Sequence, residues 1–311
     1  MKKGLLFGPV NSRRLGRSLG LEMVPRKVCS FDCIYCEVGK TTTLTCDRRE
    51  YTPFEEIRDS IEIAKLVETD IDVLTFTGSG EPTLNSKFLD AVMLAKKSLQ
   101  KPIAVLTNSS LLSEEDILKA CSILDIVLPS LDSAIEESFR LINQPAGCVD
   151  LKNIISSLFE LRSRMKGEMW LEVLLVKGIN DSERDINELK RILKDLNPHK
   201  VQLNTVVRPG ATAKAKPLTY EELEKIAQFL GDNAEVIVSK SLLQKIHNRM
   251  IRREELIKII LDYISRRPAT LEELSTALGV EQKEVYFLLE ELVSQGSAEK
   301  KTHQDKEYYL A

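Results

Sequence analysis

From residue 17 to about residue 240, short apolar, β-rich runs alternate with longer segments of helical periodicity, and few folds are open to a chain with that rhythm. The runs lie at 17–24, 73–77, 103–107, 126–131, 170–176 and 201–207, with a seventh candidate at 235–239. Between them, apolar positions repeat with a helical period at 54–66, 88–99, 114–124, 151–166, 182–196 and 219–230. Parallel strands need a crossover of a dozen or more residues, which a helix supplies. The alternation therefore predicts an α/β class, with a parallel sheet covered by helices and about six βα units making a barrel or an incomplete one. Start signals agree: Ser113 precedes Glu114, Glu115 and Asp116, Asp181 and Ser182 open another segment, and Thr219 has Glu222 three residues on. Short polar side chains of this kind bond the free N–H groups of a first helical turn.

Composition narrows the class further. The 311 residues are 43% hydrophobic, and 44 Lys+Arg against 47 Asp+Glu give a net charge of −3. Apolar residues recur throughout with no long block of one sign, which excludes disorder for the bulk of the chain. Near-neutrality supplies no global drive toward nucleic acid or an anionic membrane. No apolar run is long enough to cross a membrane, and the opening stretch meets Asn11 and Arg13 too early for a secretory leader. The expectation is a cytoplasmic protein with no membrane partner.

The six cysteines are unevenly spread. Cys29, Cys33 and Cys36 form a CxxxCxxC in the loop after the first strand, whereas Cys46, Cys121 and Cys148 are scattered. A cytosolic chain of this size is not expected to carry a disulfide framework. Cys121 falls on an apolar helical face and reads as a buried thiol. Cys46 and Cys148 lack a recognisable ligand spacing, so all three scattered cysteines are assigned to packing. Thiolates as close as Cys29, Cys33 and Cys36 can wrap one metal site, and soft sulfur selects zinc, Cu(I) or an iron–sulfur cluster. A closed zinc site needs a fourth ligand, and Cys46, His199, His247 and His303 make no familiar pair with the motif. Three ligands fit a [4Fe–4S] cluster with one iron left open.

CxxxCxxC with an aromatic residue before the last cysteine, here Tyr35, in the loop after the first strand of a βα series resembles the radical S-adenosylmethionine (SAM) superfamily. The stretch Thr77-Gly78-Ser79-Gly80-Glu81-Pro82-Thr83-Leu84, at the end of the second predicted strand, resembles that superfamily's glycine-rich segment. The opening from Phe7-Gly8-Pro9-Val10 to Leu19-Gly20, with Glu37-Val38-Gly39-Lys40-Thr41 after the cysteines, is similar to archaeal and bacterial wyosine-synthase-like Fe–S oxidoreductases. The upstream cysteine set of true wyosine synthases is missing, since no cysteine precedes Cys29. The resemblance covers about residues 5–240 and implies a TIM-like partial (βα)6 radical SAM barrel. It also implies a [4Fe–4S] cluster on Cys29, Cys33 and Cys36 whose open iron holds the amino and carboxylate groups of SAM. An external one-electron donor of flavodoxin or ferredoxin type would drive reductive cleavage of SAM, and the 5′-deoxyadenosyl radical would take hydrogen from a substrate.

Ligands of parallel α/β folds bind at the carboxyl ends of strands, where loop amides and helix N-termini converge. Gly78, Ser79, Gly80, Glu81, Asn108, Ser130, Asp132, Asn180 and Val206 all follow predicted strand ends and would line one mouth. Gly78 and Gly80 would let backbone amides approach a ligand, and Glu81 would pair with an ammonium. By resemblance, Asn108, Ser130 and Asp132 are candidates for the SAM ribose or carboxylate, and Tyr35 and Val206 for the adenine. Arg13, Arg14 and Arg17 read equally as an anion site or a solvated face.

After residue 240 the pattern changes to helix, helix, turn, helix and a two-stranded ribbon around His303, Gln304 and Asp305. That is the order of a winged helix, giving a radical SAM core at 1–240 and a small C-terminal domain at 241–311. The presumed recognition helix holds four Glu against one Lys, which is unfavourable beside phosphates. Positive charge collects instead at Arg249, Arg252, Arg253, Arg266, Arg267, Lys300 and Lys301. Backbone contacts to RNA, strand addition by a peptide, and a packing cap remain open for this domain. The expected substrate is a macromolecule, an RNA base or a protein side chain. The competing expectations are an Fe–S redox-sensing nucleic-acid-binding regulator and a glycyl-radical activating enzyme.

Overall fold

The computed structural model describes residues 4–303 and 306–311, which fall into two compact units divided between Lys240 and Ser241. The first unit opens with a hairpin of β1 (Leu6–Ser12) and β2 (Gly16–Glu22), then two short strands, β3 (Val28–Cys29) and β4 (Thr43–Leu44). It continues as α1 (Phe54–Leu66), β5 (Val73–Thr77), α2 (Phe88–Ser98), β6 (Ile103–Thr107), α3 (Glu115–Ser122) and β7 (Ile126–Pro129). There follow α4 (Glu136–Asn143), α5 (Leu151–Arg164), β8 (Glu168–Leu175), α6 (Glu183–Leu196), β9 (Lys200–Thr205), α7 (Tyr220–Leu230) and β10 (Ala234–Val236).

The sheet runs β1-β2-β5-β6-β7-β8-β9-β10, with every neighbour parallel except the β1–β2 hairpin. Six βα units are present, as the alternation predicts, with β10 extending them. Three predicted helix starts fare differently. Ser182 caps α6 and Thr219 forms a capping box with Glu222 on α7, whereas α3 begins after Glu114 without a side-chain cap, so Ser113 does not serve. The sequence pattern missed β1, β3, β4 and α4. β1 is mostly exposed and α4 spans only eight residues, so neither shows the sustained apolar period that sequence reading needs.

The hairpin shows that the sheet is curled. Arg14, in the β1–β2 turn, bonds Glu172 on β8 at 2.5 Å. β2 and β8 are four strands apart, which in a flat sheet is roughly 19 Å, too far for one arginine. Leu15, beside it, packs against Val73, Ala104, Leu128 and Trp170 from β5, β6, β7 and β8. The hairpin tip thus plugs the amino end of an open barrel, and the carboxyl ends of the strands are left for the site. Asn204 on β9 bonds Glu172 at 2.9 Å, completing a polar layer above the plug.

The second unit contains the bulk of α8 (Lys240–Arg266), then α9 (Leu271–Leu278), α10 (Gln282–Ser294) and the antiparallel pair β11 (Glu299–His303) and β12 (Lys306–Leu310). Gln304 and Asp305, in the predicted ribbon turn, lie outside the described residues. Thr270 forms a capping box with Glu273, and Gly279 ends α9 in the left-handed region. Leu256, Ile260 and Ile264 of α8 share one core with Leu274, Val285, Leu288, Leu289, Leu292 and Tyr309. Ala269 and Tyr309 exchange backbone bonds of 3.0 and 2.8 Å, which ties the entry to α9 onto β12.

Candidate cofactor site at the carboxyl ends of the strands

Cys29 ends β3, and the loop beyond it winds through two tight turns, with Cys36 N bonded to Cys33 O and Gly39 N to Cys36 O. The last carbonyls of a helix lack intrahelical partners, and α4 uses them to hold this loop: Ile34 N bonds Ile142 O at 3.0 Å and Asp32 N bonds Asn143 O at 3.1 Å. Cys29, Cys33 and Cys36 form no disulfide. Each faces an N–H donor. Phe31 N and Asn108 Nδ2 lie 3.5 and 3.6 Å from Cys29 Sγ, Asn143 Nδ2 lies 3.5 Å from Cys33 Sγ, and Lys27 Nζ lies 3.2 Å from Cys36 Sγ. Burial, reinforced by the Glu81 charge, pushes the Cys29 thiol up to about 12. Burial, with Asp132 nearby, pushes Cys33 up as well. The Cys29 and Cys33 thiols therefore hold their protons at neutral pH, and coordination is what would release them.

The glycine-rich stretch follows β5. A Cβ on Gly80 would fall 2.1 Å from the Val28 carbonyl oxygen, so this glycine admits the backbone of β3. At Gly78 the nearest atom to such a Cβ is 3.8 Å away and room remains. Ser79 accepts the Lys27 N–H on its carbonyl and donates its hydroxyl to Glu22. Glu81 is buried, and its Oε1 accepts from Thr83 N, Thr83 Oγ1 and Thr107 Oγ1 while Oε2 accepts from Asn108 N. Burial still raises its carboxyl above the usual carboxylate range. Only Oε2 keeps capacity for a further strong donor.

Across the mouth, Asp132 accepts from Tyr35 OH and Asn143 Nδ2, both at 2.6 Å, and from Leu174 N at 2.9 Å. Burial raises its carboxyl to about 6 despite those donors. Val206 packs with Ile34, Ile142 and Val176, with Tyr35 against the same cluster. Beyond β9 the chain returns over the cysteine loop: a Cβ on Gly210 would meet Ile34 O at 2.9 Å, and Thr212 N bonds Ile34 O at 3.1 Å.

The predicted residues therefore fall into two neighbouring groups, Glu81 with Asn108 and Cys29, and Tyr35 with Asp132, Val206 and Cys33. Ser130 contributes backbone, donating its N–H to Thr107 O and accepting from Ser109 Oγ. Asn180 is buried with its amide bonded to Val176 N, Asp132 O and Leu174 O, so it shapes the end of β8. The arginine cluster is dispersed: Arg14 pairs with Glu172 inside the barrel and Arg17 with Asp72 at the surface. Lys177 pairs with Glu222. Sequence reasoning missed Lys27, Asn143 and Gly210. Asn143 lies on the helix that went unread, and a lone lysine before a cysteine carries no signal of its own.

Cys121 is buried and free as expected, but Cys46 and Cys148 form a disulfide, which corrects their assignment to packing. The pairing comes from tertiary structure. Ala146 N bonds Ser30 O and Phe31 bridges Pro145, which lays the α4–α5 loop along the cysteine loop.

The sequence profile of the radical SAM superfamily matches residues 23–190. A protein of the UPF0026 group from Methanocaldococcus jannaschii is 35% identical over 98% of this chain and 95% of its own length. A Brachyspira hyodysenteriae protein named GTPase Obg is also 35% identical, over 95% of this chain, which spans only 43% of that protein. A solved structure described as native anSMEcpe with bound AdoMet and a Cp18Cys peptide shares the fold at TM-score 0.50 and 19% identity, over 68% of this chain and 58% of that one. The superfamily's cofactors are a [4Fe–4S] cluster and SAM, and the residues here fit them. Three unbridged thiols with N–H donors to their sulfurs are the donor set of an Fe–S cluster, whose potential such bonds tune. Among the described residues no His, Cys, Asp and Glu group converges on one point as a single metal ion requires, whereas a cluster takes one thiolate at each of three irons. The chain belongs to the radical SAM superfamily, within its UPF0026 group.

Proposed function

We propose that this protein is a cytoplasmic radical SAM enzyme that modifies a macromolecule, with an RNA base as the leading substrate class. The observation that carries the chemistry is the set of three unbridged cysteines, each facing an N–H donor, at the carboxyl ends of the parallel strands. Cys29, Cys33 and Cys36 hold the cluster, and Gly78, the Glu81 Oε2 atom and Asn108 receive the methionyl part of SAM. Asp132, Ser130, Tyr35 and Val206 form the ribose and adenine side, with Asn180 keeping the end of β8 in register. When bound, the cluster and SAM supply an electron and a 5′-deoxyadenosyl radical that takes hydrogen from the substrate. The protein's own residues position that radical and keep water out: Ile34, Ile142, Val176 and Val206 make the apolar wall. A flavodoxin or ferredoxin type donor provides the electron.

We assign residues 241–311 a winged-helix architecture and a role in substrate capture. Support for RNA comes from a groove of about 630 Å³ lined by Arg249, Arg252, Arg253 and Phe287. Phe287 is 60% exposed and stacks edge-on with Tyr286. Cations and exposed aromatics together suit phosphates and unstacked bases. Glu284 and Glu291 line the same groove and pair with Arg252 and Arg253, so RNA must displace these pairs. A protein side chain is the second reading, favoured by β11, which among the described residues pairs only with β12 and offers an edge for strand addition.

The deciding experiment is anaerobic reconstitution followed by reduction in the presence of SAM. Formation of 5′-deoxyadenosine and methionine supports the enzyme reading, and a loaded cluster that never cleaves SAM supports a redox-sensing regulator instead. RNA retention on filters, with the full chain and with Arg249→Ala/Phe287→Ala, tests the substrate class: retention unchanged by the double substitution removes the groove's role.

A further inference from the structure

Lys27 combines three unusual features. Its residue is only 5% exposed, although a lysine is almost never fully buried without a counter-charge. Its φ is +63°, in the left-handed region that L residues with a Cβ rarely adopt. Its Nζ meets a sulfur, Cys36 Sγ at 3.2 Å, and no Asp or Glu among the described residues pairs with it. The backbone explains how the conformation is held. Lys27 N donates to Ser79 O at 2.8 Å, and Lys27 O accepts from Thr42 N and Thr43 N at 3.2 and 3.1 Å. One strained residue thus ties the glycine-rich stretch to the cysteine loop while aiming an ammonium at the third cysteine. Strain of this sort persists where surrounding structure imposes it, and it concentrates at functional sites.

The other two thiols differ in kind. Cys29 and Cys33 face neutral amides, from Asn108 and Asn143. Among the described residues only Cys36 is hydrogen-bonded by a cation, although the same Lys27 charge also reaches Cys29 through space.

We infer that Lys27 is a positioning residue whose buried ammonium compensates the negative charge of the cluster and raises its reduction potential through Cys36. The inference rests on the cluster reading above. Reduction by the one-electron donor adds one unit of negative charge to a site that already carries three thiolates. A fixed cation in a region of low dielectric stabilises the more negative state, and hydrogen bonds to cluster sulfurs act in the same direction. Nearby Glu81 and Asp132 oppose reduction, so Lys27 is the group that offsets them.

The test is a redox titration of anaerobically reconstituted protein without SAM, followed by the electron paramagnetic resonance of the reduced cluster. Iron and sulfide analysis of the unsubstituted protein comes first; a chain that takes up no cluster there defeats the family-based reading, and this outcome is separate from the arms below. In Lys27→Met with full iron loading, the ratio of reduced to oxidised cluster at fixed reductant is expected to fall about tenfold, which is about 59 mV for a one-electron couple. Lys27→Arg restores the ratio, and Asn108→Leu, which removes a neutral donor, lowers it less. A fully loaded Lys27→Met protein with unchanged potential overturns the inference. Should Lys27→Met fail to take up iron, Lys27→Gln and Lys27→Arg decide: a shifted Gln variant beside an unshifted Arg variant supports it, and failure of all three to load assigns Lys27 to loop folding alone and overturns it.

Discussion

The two ends of the barrel are built on opposite rules. At the amino end, Leu15, Val73, Ala104, Leu128 and Trp170 form an apolar plug, and above it the part-buried Glu172 is paired with Arg14 and bonded by Asn204. At the carboxyl end, Glu81, Asp132 and Lys27 are buried with no opposite charge in an ion pair among the described residues. Of the four non-glycine residues with positive φ among the described residues, Lys27, Ser109 and Gln144 also lie there. Buried charge without a partner and backbone in rare conformations lower stability. Their concentration at one end, opposite a conventionally packed one, separates the part of the barrel that holds it together from the part that does chemistry.

The sharpest way to break that division is to remove one cluster ligand. Cys33→Ala is expected to abolish SAM cleavage, a loss of at least about a thousandfold, while the cluster-free protein melts within a few degrees of its parent. Coincident loss of the fold would show that the mouth is structural too. At the other end, Arg14→Met strands Glu172 and should cost ~3–5 kcal/mol in denaturant unfolding, and Arg14→Met/Glu172→Leu should recover much of it. At the carboxyl end the Cys46–Cys148 disulfide closes a segment with a sequence separation of 102. Its reduction should lower stability by about 2–4 kcal/mol, read as a shift of the urea midpoint with and without a dithiol.

A fourth expectation concerns pH. Burial raises the Asp132 carboxyl from 3.8 to about 6 in the folded protein, so folding favours its protonated form. The stability this confers is present below pH ~4 and lost as pH rises through about 6, a fall of up to ~3 kcal/mol. Unfolding of the cluster-free protein between pH 4 and 7 should show this descent, and Asp132→Asn should flatten it. An equal slope in the variant would place the titration elsewhere. Smallest of all, Arg17→Ala removes a half-exposed pair with Asp72 and should change stability by less than about 1 kcal/mol.

Much of the barrel was legible because its signals are periodic. The segment 54–66 was read to the residue as α1, and Ser182 and Thr219 act as the caps their chemistry allows. Pairings that depend on distant chain segments left no such trace. Cys46 and Cys148 looked like isolated thiols, and Arg13, Arg14 and Arg17 looked like one basic cluster, until the curled sheet brought the disulfide together and sent Arg14 and Arg17 to different partners. Gly80 signalled a close approach in the sequence, but that Val28, from another segment, makes one there is visible only in the structure.

By itself the sequence determined the alternation of the six βα units, the three cysteines and the acidic group that follows the glycines, because hydrophobic period and ligand spacing are local properties. The tertiary structure decided which polar groups are buried, and what each then meets. Lys27 becomes a cation beside a thiol, and Asp132 becomes a shared acceptor for Tyr35 and Asn143, only when β3, the glycine-rich stretch and α4 close around one loop. Burial and partnership are sums over segments far apart in the chain, and no window of sequence contains them.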